Sequence, residues 1–338
     1  MSDPRSQDKP RTELEVRVQS LPVAQSRDGA SGSKDASASS ATPQGAAAVN
    51  SGPTATRRRL GDGGPPAVVH VFSGPDDRVD GLAAYLSKLG VPCVDLDIVN
   101  FRQGEVKSSH DLSSDSLWET LRSELEGGRI LALWFGTPCS TFSKARGHGP
   151  GPRPLRSVQH IYGLPRSELR ESEHQQVREG TYFALKTCEL AQAAHRLGVC
   201  FGIENPEPWP GHVSLFLLPE MQALASLPNV SCTNFDQCCL GAETAKPTRL
   251  LSFGLDLSQW TWRCQHEAKS WRYTDWKGNA CIKRGPHPPL VGRKREDGRP
   301  ATAGAAAYPS DMNEMLAKAV HDGLGRSKAG APANPSNP

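Results

Sequence analysis

Two short segments carry residue types that together could do covalent chemistry: Cys139 within TPCSTFS (137–143) and Glu204 within IENP (203–206). A thiolate adds to an electron-poor ring carbon, and a carboxyl beside a ring nitrogen steadies the charge that the addition creates. That division of labour suits a pyrimidine, whose carbon 5 is a poor nucleophile until something has added at carbon 6. Each residue also has a plain reading. A Pro-Cys loop is ordinarily structural, and an acid before Asn-Pro ordinarily starts a turn. The pair is harder to dismiss, because each member follows a strongly apolar run.

The elements that must position them begin at Ala67, where AVVHVF reads as a buried strand followed by the turn SGPDD. Helical spacing of Val79, Leu82, Ala83, Leu86 and Leu89 predicts a helix over 78–89, stopped at Gly90. VPCVDLDIV is the next strand. A helix near 114–126 carries Leu117, Leu121 and Leu125, and RILALWF is a further strong strand. A long amphipathic helix over 172–197 presents Val177, Ala184, Leu185, Cys188, Ala191 and Leu197, and the strand GVCFGI follows it. Strands alternating with helices predict an α/β fold with a doubly wound, mostly parallel sheet. Ligands of such sheets sit beyond the carboxyl ends of the strands, where Gly74, Asp97, Cys139 and Glu204 fall.

The order of these segments resembles the cytosine-5 methyltransferase family, and more closely the divergent methyltransferase-like domains found beside reverse transcriptases in retroelement polyproteins. The likeness spans most of 68–320. VFSGPDDRVDGL resembles the cofactor loop, Asp97 the acid after the second strand, and HDL (110–112) the acid-bearing loop near the cofactor's adenine. PCSTFS resembles the nucleophile motif, IENP the glutamate motif, KPTRLL (246–251) the arginine-containing strand, and AAAYPSDMNEMLAKAV (305–320) the closing helix. The resemblance implies a class I S-adenosylmethionine-dependent methyltransferase-like fold. In it Cys139 is the nucleophile, Glu204 engages the base near nitrogen 3, and Arg249 supports the target. Phe72, Ser73, Gly74, Asp97, Asp111 and Pro138 would hold S-adenosylmethionine. Alternatives stand beside these roles. Gly74 serves a tight turn equally well, Asp111 a helix cap, and Asp95 is structural or a second candidate for the acid.

Between Thr244 and Pro300 twelve Lys and Arg face five Asp and Glu, with Trp260, Trp262, Trp271, Tyr273 and Trp276 among them. A basic surface with aromatic platforms is one way of holding flipped or single-stranded nucleotides, and the resembled family carries target recognition here. Ser143, Arg146, Lys246, Arg263, Trp271 and Arg272 are the expected nucleic-acid contacts, with DNA favoured over RNA. The rival reading is a tryptophan core with a solvated basic face. Cys264-x-His266, with Cys238, Cys239, Cys281 and His287 nearby, fits no standard zinc finger. No metal site is therefore assigned, and Cys264, His266 and His287 are the zinc candidates.

Residues 1–66 hold few large apolar residues and long runs of Ser, Ala, Gly, Pro and Gln, so they read as a disordered segment. One domain spans 67–323, with 244–300 a small basic, Trp-rich target-recognition insertion and 324–338 a flexible tail. The chain of 338 residues has a net charge of +3, which by itself points to no class of partner. Its nine cysteines read as thiols rather than a disulfide scaffold. The absence of a spanning apolar run or a secretory signal predicts an intracellular protein without a membrane partner. Arg57-Arg58-Arg59 reads either as a nuclear signal or as a solvated linker cluster. Two functions follow: cytosine-5 methylation of nucleic acid, or a nucleic-acid-binding module of mobile-element origin that keeps the fold without turnover. Pro75, Asp76 and Asp77, standing where the family prefers glycine, favour the second.

Overall fold

A six-stranded sheet in the order β2-β1-β5-β6-β8-β7 organises the molecule. The computed structural model describes residues 60–329 except 62, 75–77, 98, 101–104, 107, 148–151, 276, 297 and 299. Residues 1–59 of the disordered segment expected over 1–66, including the Arg57–Arg59 cluster, and Trp276 thus lie outside the described residues. Strand β1 (Ala67–Val71) is buried at all five positions, as a central parallel strand covered on both faces must be. It lies between β2 (Cys93–Leu96) and β5 (Ile130–Phe135), parallel to both. The small hairpin β3 (Val99–Asn100) and β4 (Glu105–Val106) follows β2. Strand β6 (Cys200–Pro206) continues the parallel set beyond β5. After β7 (Val230–Asp236) the chain returns as β8 (Pro247–Phe253), antiparallel to both β6 and β7.

Alternation along each strand sorts side chains between two cores. Val69, Val71, Leu133, Phe135, Phe201, Ile203 and Leu251 face α2 (Asp115–Glu126), α3 (Glu171–Arg196) and α4 (Pro219–Ala225). Val68, Ala132, Trp134, Cys200 and Leu250 face α1 (Leu82–Lys88) and α6 (Ser310–Ala329), the short α5 (Ala301–Gly304) lying just before α6. Trp134 fits only because residue 202 is glycine: a Cβ there would stand 2.2 Å from its ring. The doubly wound, mostly parallel α/β expectation therefore holds at the level of architecture.

Several boundaries move. Helix α1 starts at Leu82, leaving Val79 81% exposed rather than on its apolar face. Gly90, at φ +73°, does end that helix, and Val91 N–H donates to Leu86 O. Leu197 lies just past α3 and is 49% exposed. Strand β6 runs through Pro206, so Glu204 sits inside the strand and not in the loop after it. The last helix extends to Ala329 with Leu324 packed on the second core, so the first residues of the tail expected over 324–338 are helical and the rest lies outside the described residues. Leu60 likewise packs on the first core, ahead of the expected domain start. The two-stranded hairpin of β9 (Lys269–Thr274) and β10 (Ala280–Gly285) stands outside the main sheet within the predicted insertion.

Candidate active site

The sheet order reverses direction at β1, with β2 on one side and β5 on the other, so the carboxyl ends of β1 and β5 form the switch point at which ligands of such sheets sit. Backbone approach there is close. A Cβ at Gly136 would lie 2.8 Å from the Phe72 carbonyl and 3.2 Å from the Tyr308 hydroxyl. Phe72 itself takes φ +60°, a left-handed conformation that costs a bulky residue energy. Its N–H and that of Ser73 both donate to Leu96 O, and its ring packs on Phe183 and Trp118. Gly74 N–H donates to Asp97 Oδ2 at 3.0 Å, joining the two expected cofactor residues directly. Asp111 is engaged locally, accepting from the backbone and hydroxyl of Ser113. Asp95 contacts His70 Nδ1 at 3.3 Å across β1 and β2, which favours its structural reading.

Cys139 follows β5 in a turn closed by Phe142 N–H donating to Cys139 O. The turn is anchored from below. Phe142 is buried under the guanidinium of Arg156, which also donates to Thr141 Oγ1, Ile161 O, Val177 O and Thr181 Oγ1. Burial and the neighbouring Arg146 charge pull the Arg156 pKa down to about 10. Arg146 is spent in the same scaffold, donating to Ser140 O, Arg153 O and Gln176. Ser143 accepts from Ala145 N–H within the turn.

Asn205 donates from Nδ2 to Thr137 O at 2.7 Å and so ties the end of β6 to the loop of Pro138 and Cys139. Its neighbour Glu204 is buried, on the α6 face of the sheet. Lys246 Nζ stands 3.7 Å from Glu204 Oε1, and Gln237 Nε2 donates to Glu204 Oε1 at 3.3 Å and to Thr248 Oγ1 at 3.0 Å. Tyr308 hydrogen-bonds Glu204, accepts from Trp134 Nε1 at 3.3 Å and stacks on His70. Lys246 is held at φ +39°, another left-handed non-glycine residue, with Thr248 Oγ1 donating to its carbonyl.

Cys139 keeps an accessible edge yet senses these groups. Burial pushes its thiol up, the Lys246 ammonium pulls it down, and Glu204 pushes it up again. A thiol, a buried carboxyl group and an ammonium thus lie near enough to act on one another electrostatically at the carboxyl edge of β5 and β6. The set could add sulfur to a ring carbon while the carboxylate and ammonium respond to the charge that develops.

Arg249 is not brought to this point. It pairs with Asn205 in register, projects to the opposite face from Glu204, donates to Asn234 Oδ1 and lies over Phe216. Lys246, expected as a nucleic-acid contact, is instead the cation beside Glu204. Arg263 is committed to Glu207 through two hydrogen bonds and approaches Asp236 at 3.5 Å. Trp260 is buried against Phe235, and Trp262 packs beside it, so both belong to the core. Trp271 lies half-buried on the hairpin with its indole N–H on Gly285 O, whereas Arg272 is exposed. Gln237, Thr248 and Tyr308 had no signal in the sequence, because only the antiparallel return of β8 and the docking of α6 bring them to Glu204.

A second cluster lies beside the first. Cys238, Cys264, His266 and His287 each offer a ligand atom, all within 4.8 Å of one another, and could hold a metal ion. Three are the expected candidates and Cys238 is added, while Cys239 is exposed and Cys281 lies in β10 opposite Tyr273. Among the described residues no helix is long and apolar enough to cross a membrane. Comparison of the chain with protein-family models and with curated proteins gives no match.

Proposed function

We propose that the protein is an S-adenosylmethionine-dependent methyltransferase acting on carbon 5 of cytosine in nucleic acid, DNA rather than RNA. The observation that carries this reading is the convergence of Cys139, Glu204 and Lys246 at the carboxyl edge of two adjacent parallel strands. In the proposed reaction Cys139 gives its proton to solvent and its sulfur bonds to carbon 6, the ring double bond opening toward carbon 5. Glu204, in its protonated form, gives a hydrogen bond or proton to ring nitrogen 3, so the electron pair collects at carbon 5. Lys246 stabilises the anionic forms on either side of that step. After transfer, carbon 5 loses its proton to water, nitrogen 3 returns its proton or hydrogen bond to Glu204, and the electron pair left at carbon 5 re-forms the ring double bond as the thiolate leaves carbon 6.

Bound S-adenosylmethionine would supply the electrophilic methyl group. The residues at the β1 edge fit such a ligand. A Cβ built on Gly74 meets nothing within 4 Å, so a ligand can approach the backbone there. Asp97 stands at the end of β2, where a carboxylate holds a ribose diol. Phe72, Ser73, Gly74, Asp97, Asp111 and Pro138 are the proposed cofactor residues. Exposed Lys269, Arg272, Lys283 and Arg284 on the β9–β10 hairpin are a surface for phosphates. Ser143 and Trp271 join the proposed contacts, whereas Arg146 and Arg263 serve chiefly to brace the site.

The second reading is a binding module without turnover. It is favoured by the Gly74 amide being already committed to Asp97 and by the raised Cys139 thiol. The test is covalent trapping on DNA carrying 5-fluorocytosine in the presence of S-adenosylmethionine. An adduct on a denaturing gel, lost in Cys139→Ser, supports methyl transfer. Cofactor binding by calorimetry without any adduct on DNA or RNA overturns it in favour of the module.

A further inference from the structure

We propose that Cys238, Cys264, His266 and His287 form a tetrahedral zinc site that staples the base of the β9–β10 hairpin to the turn bearing Gln237, a hydrogen-bond partner of Glu204. Two thiolates and two imidazoles are a donor set that selects zinc among the abundant divalent ions. With zinc–sulfur and zinc–nitrogen bonds of about 2.3 and 2.0 Å, tetrahedral geometry needs nitrogen–sulfur edges of about 3.5 Å. Cys264 Sγ lies 3.4 Å from His266 Nδ1 and 3.1 Å from His287 Nε2, so those edges are already nearly in place.

The surroundings are those of a built site. His287 is buried, and its Nδ1 lies 2.9 Å from Glu243 O. Donation there fixes the tautomer and leaves the Nε2 lone pair facing Cys264, the usual outer-shell arrangement for a ligating histidine. Cys264 N–H donates to Asp236 Oδ2 at 2.8 Å, which fixes the second thiol. Binding releases the two thiol protons to solvent and leaves a site of zero net charge, with no change of oxidation state. The donor set stands independently of any methyl transfer.

Three separated segments meet here: the turn after β7, the stretch following Trp262, and the loop leaving β10. Cys238 adjoins Gln237, whose amide reaches both Glu204 and Thr248. A metal at Cys238 would therefore hold the Gln237 turn as well as the hairpin.

The full chain, purified without chelator, is expected to carry one zinc per molecule by elemental mass spectrometry. Cys238→Ser and Cys264→Ser should lose it, while Cys232→Ser, an exposed cysteine on β7, should retain it. Replacement by cobalt(II) should give the strong visible bands of a tetrahedral ion and a sulfur-to-cobalt charge-transfer band. If the serine variants fail to fold, the wild-type cobalt spectrum decides by itself. Trace zinc with no charge-transfer band, or a Cys238–Cys264 disulfide by mass, would overturn the site and leave a network of thiol–imidazole hydrogen bonds.

Discussion

Lys246 Nζ lies 3.7 Å from Glu204 Oε1, with both side chains largely withdrawn from water. At an effective dielectric of about 20, two unit charges at that distance attract by roughly 4–5 kcal/mol. Dehydrating them costs a comparable amount. The pair is thus close to break-even for stability, and its value lies in placing a cation beside both Glu204 and Cys139. Lys246→Met should destabilise the fold by about 3 kcal/mol in urea unfolding, because it strands a buried carboxylate. The double change Lys246→Met with Glu204→Gln should recover much of that loss. A double variant no more stable than the single one would refute the coupling.

The same substitution should be visible at the thiol. Because the Lys246 charge holds the Cys139 pKa down against burial and Glu204, Lys246→Met should raise it further. Alkylation of Cys139 by iodoacetamide, followed by peptide mass spectrometry at mildly alkaline pH, should slow several-fold. Unchanged kinetics would show that the ammonium does not act on the sulfur.

Alkaline stability follows from the sign of three shifts. Burial raises Cys93, Cys139 and Tyr308 above their ordinary values. A group whose folded pKa is raised favours the folded state fully below its unfolded pKa, and that contribution disappears as pH climbs toward the folded value. Unfolding free energy should therefore fall steadily above about pH 8.5, where free thiols begin to ionise. Cys139→Ser should flatten part of that fall. A flat profile between neutral pH and pH 10 would contradict the burial.

Gly202 tests the packing behind the site. Gly202→Ala places a Cβ on the Trp134 ring, and overpacking of this kind costs about 1–3 kcal/mol. Trp134 in turn donates to the Tyr308 hydroxyl, so the displacement should reach Glu204. A lowered urea midpoint together with weaker 5-fluorocytosine trapping is expected, and a variant of unchanged midpoint would refute the contact.

Arg156 tests the scaffold under the thiol. Arg156→Met removes four hydrogen bonds that hold the Cys139 turn to α3 and to the loop at Ile161. Hydrogen exchange over 139–146 should accelerate by an order of magnitude or more, roughly what losing two net hydrogen bonds allows. Protection equal to wild type would mean the turn is rigid without its arginine.

The parallel strands and their helices were legible because AVVHV, RILALWF and the 172–197 helix declare themselves by apolar content and spacing. Cys139 stood out because it follows the apolar run of β5, and Glu204 because it follows GVCFGI, although it proves to lie within β6. What was not legible depends on distant segments meeting. Arg249 and Lys246 are three residues apart; the register of β8 against β6 turns the arginine away, while Lys246, just ahead of β8 at φ +39°, reaches Glu204. Gln237 is supplied by the chain reversal before β8, and Tyr308 by α6. Cys264, His266 and His287 were named from the sequence as zinc candidates, but the fourth donor was not: Cys238 and Cys264 are separated by all of β8 and a long loop, so no spacing rule joins them. Tryptophan content pointed to a stacking surface, but Trp260 and Trp262 were needed to fill the second core.

The docking of α6 on α1 has a consequence for how the molecule is made. Arg78 donates to Tyr308 O, Asn313 to Asp80 O, and Tyr85 meets Ser310, so the earliest helix of the domain is completed by the latest. During synthesis the apolar faces of α1 and β1 must wait for almost the entire domain to emerge before they are covered. A ribosome that stalled or terminated ahead of Tyr308 would release a chain whose sheet is exposed on one side and whose Glu204 lacks its phenol. Such fragments should be substrates for chaperones and proteases rather than partly active proteins.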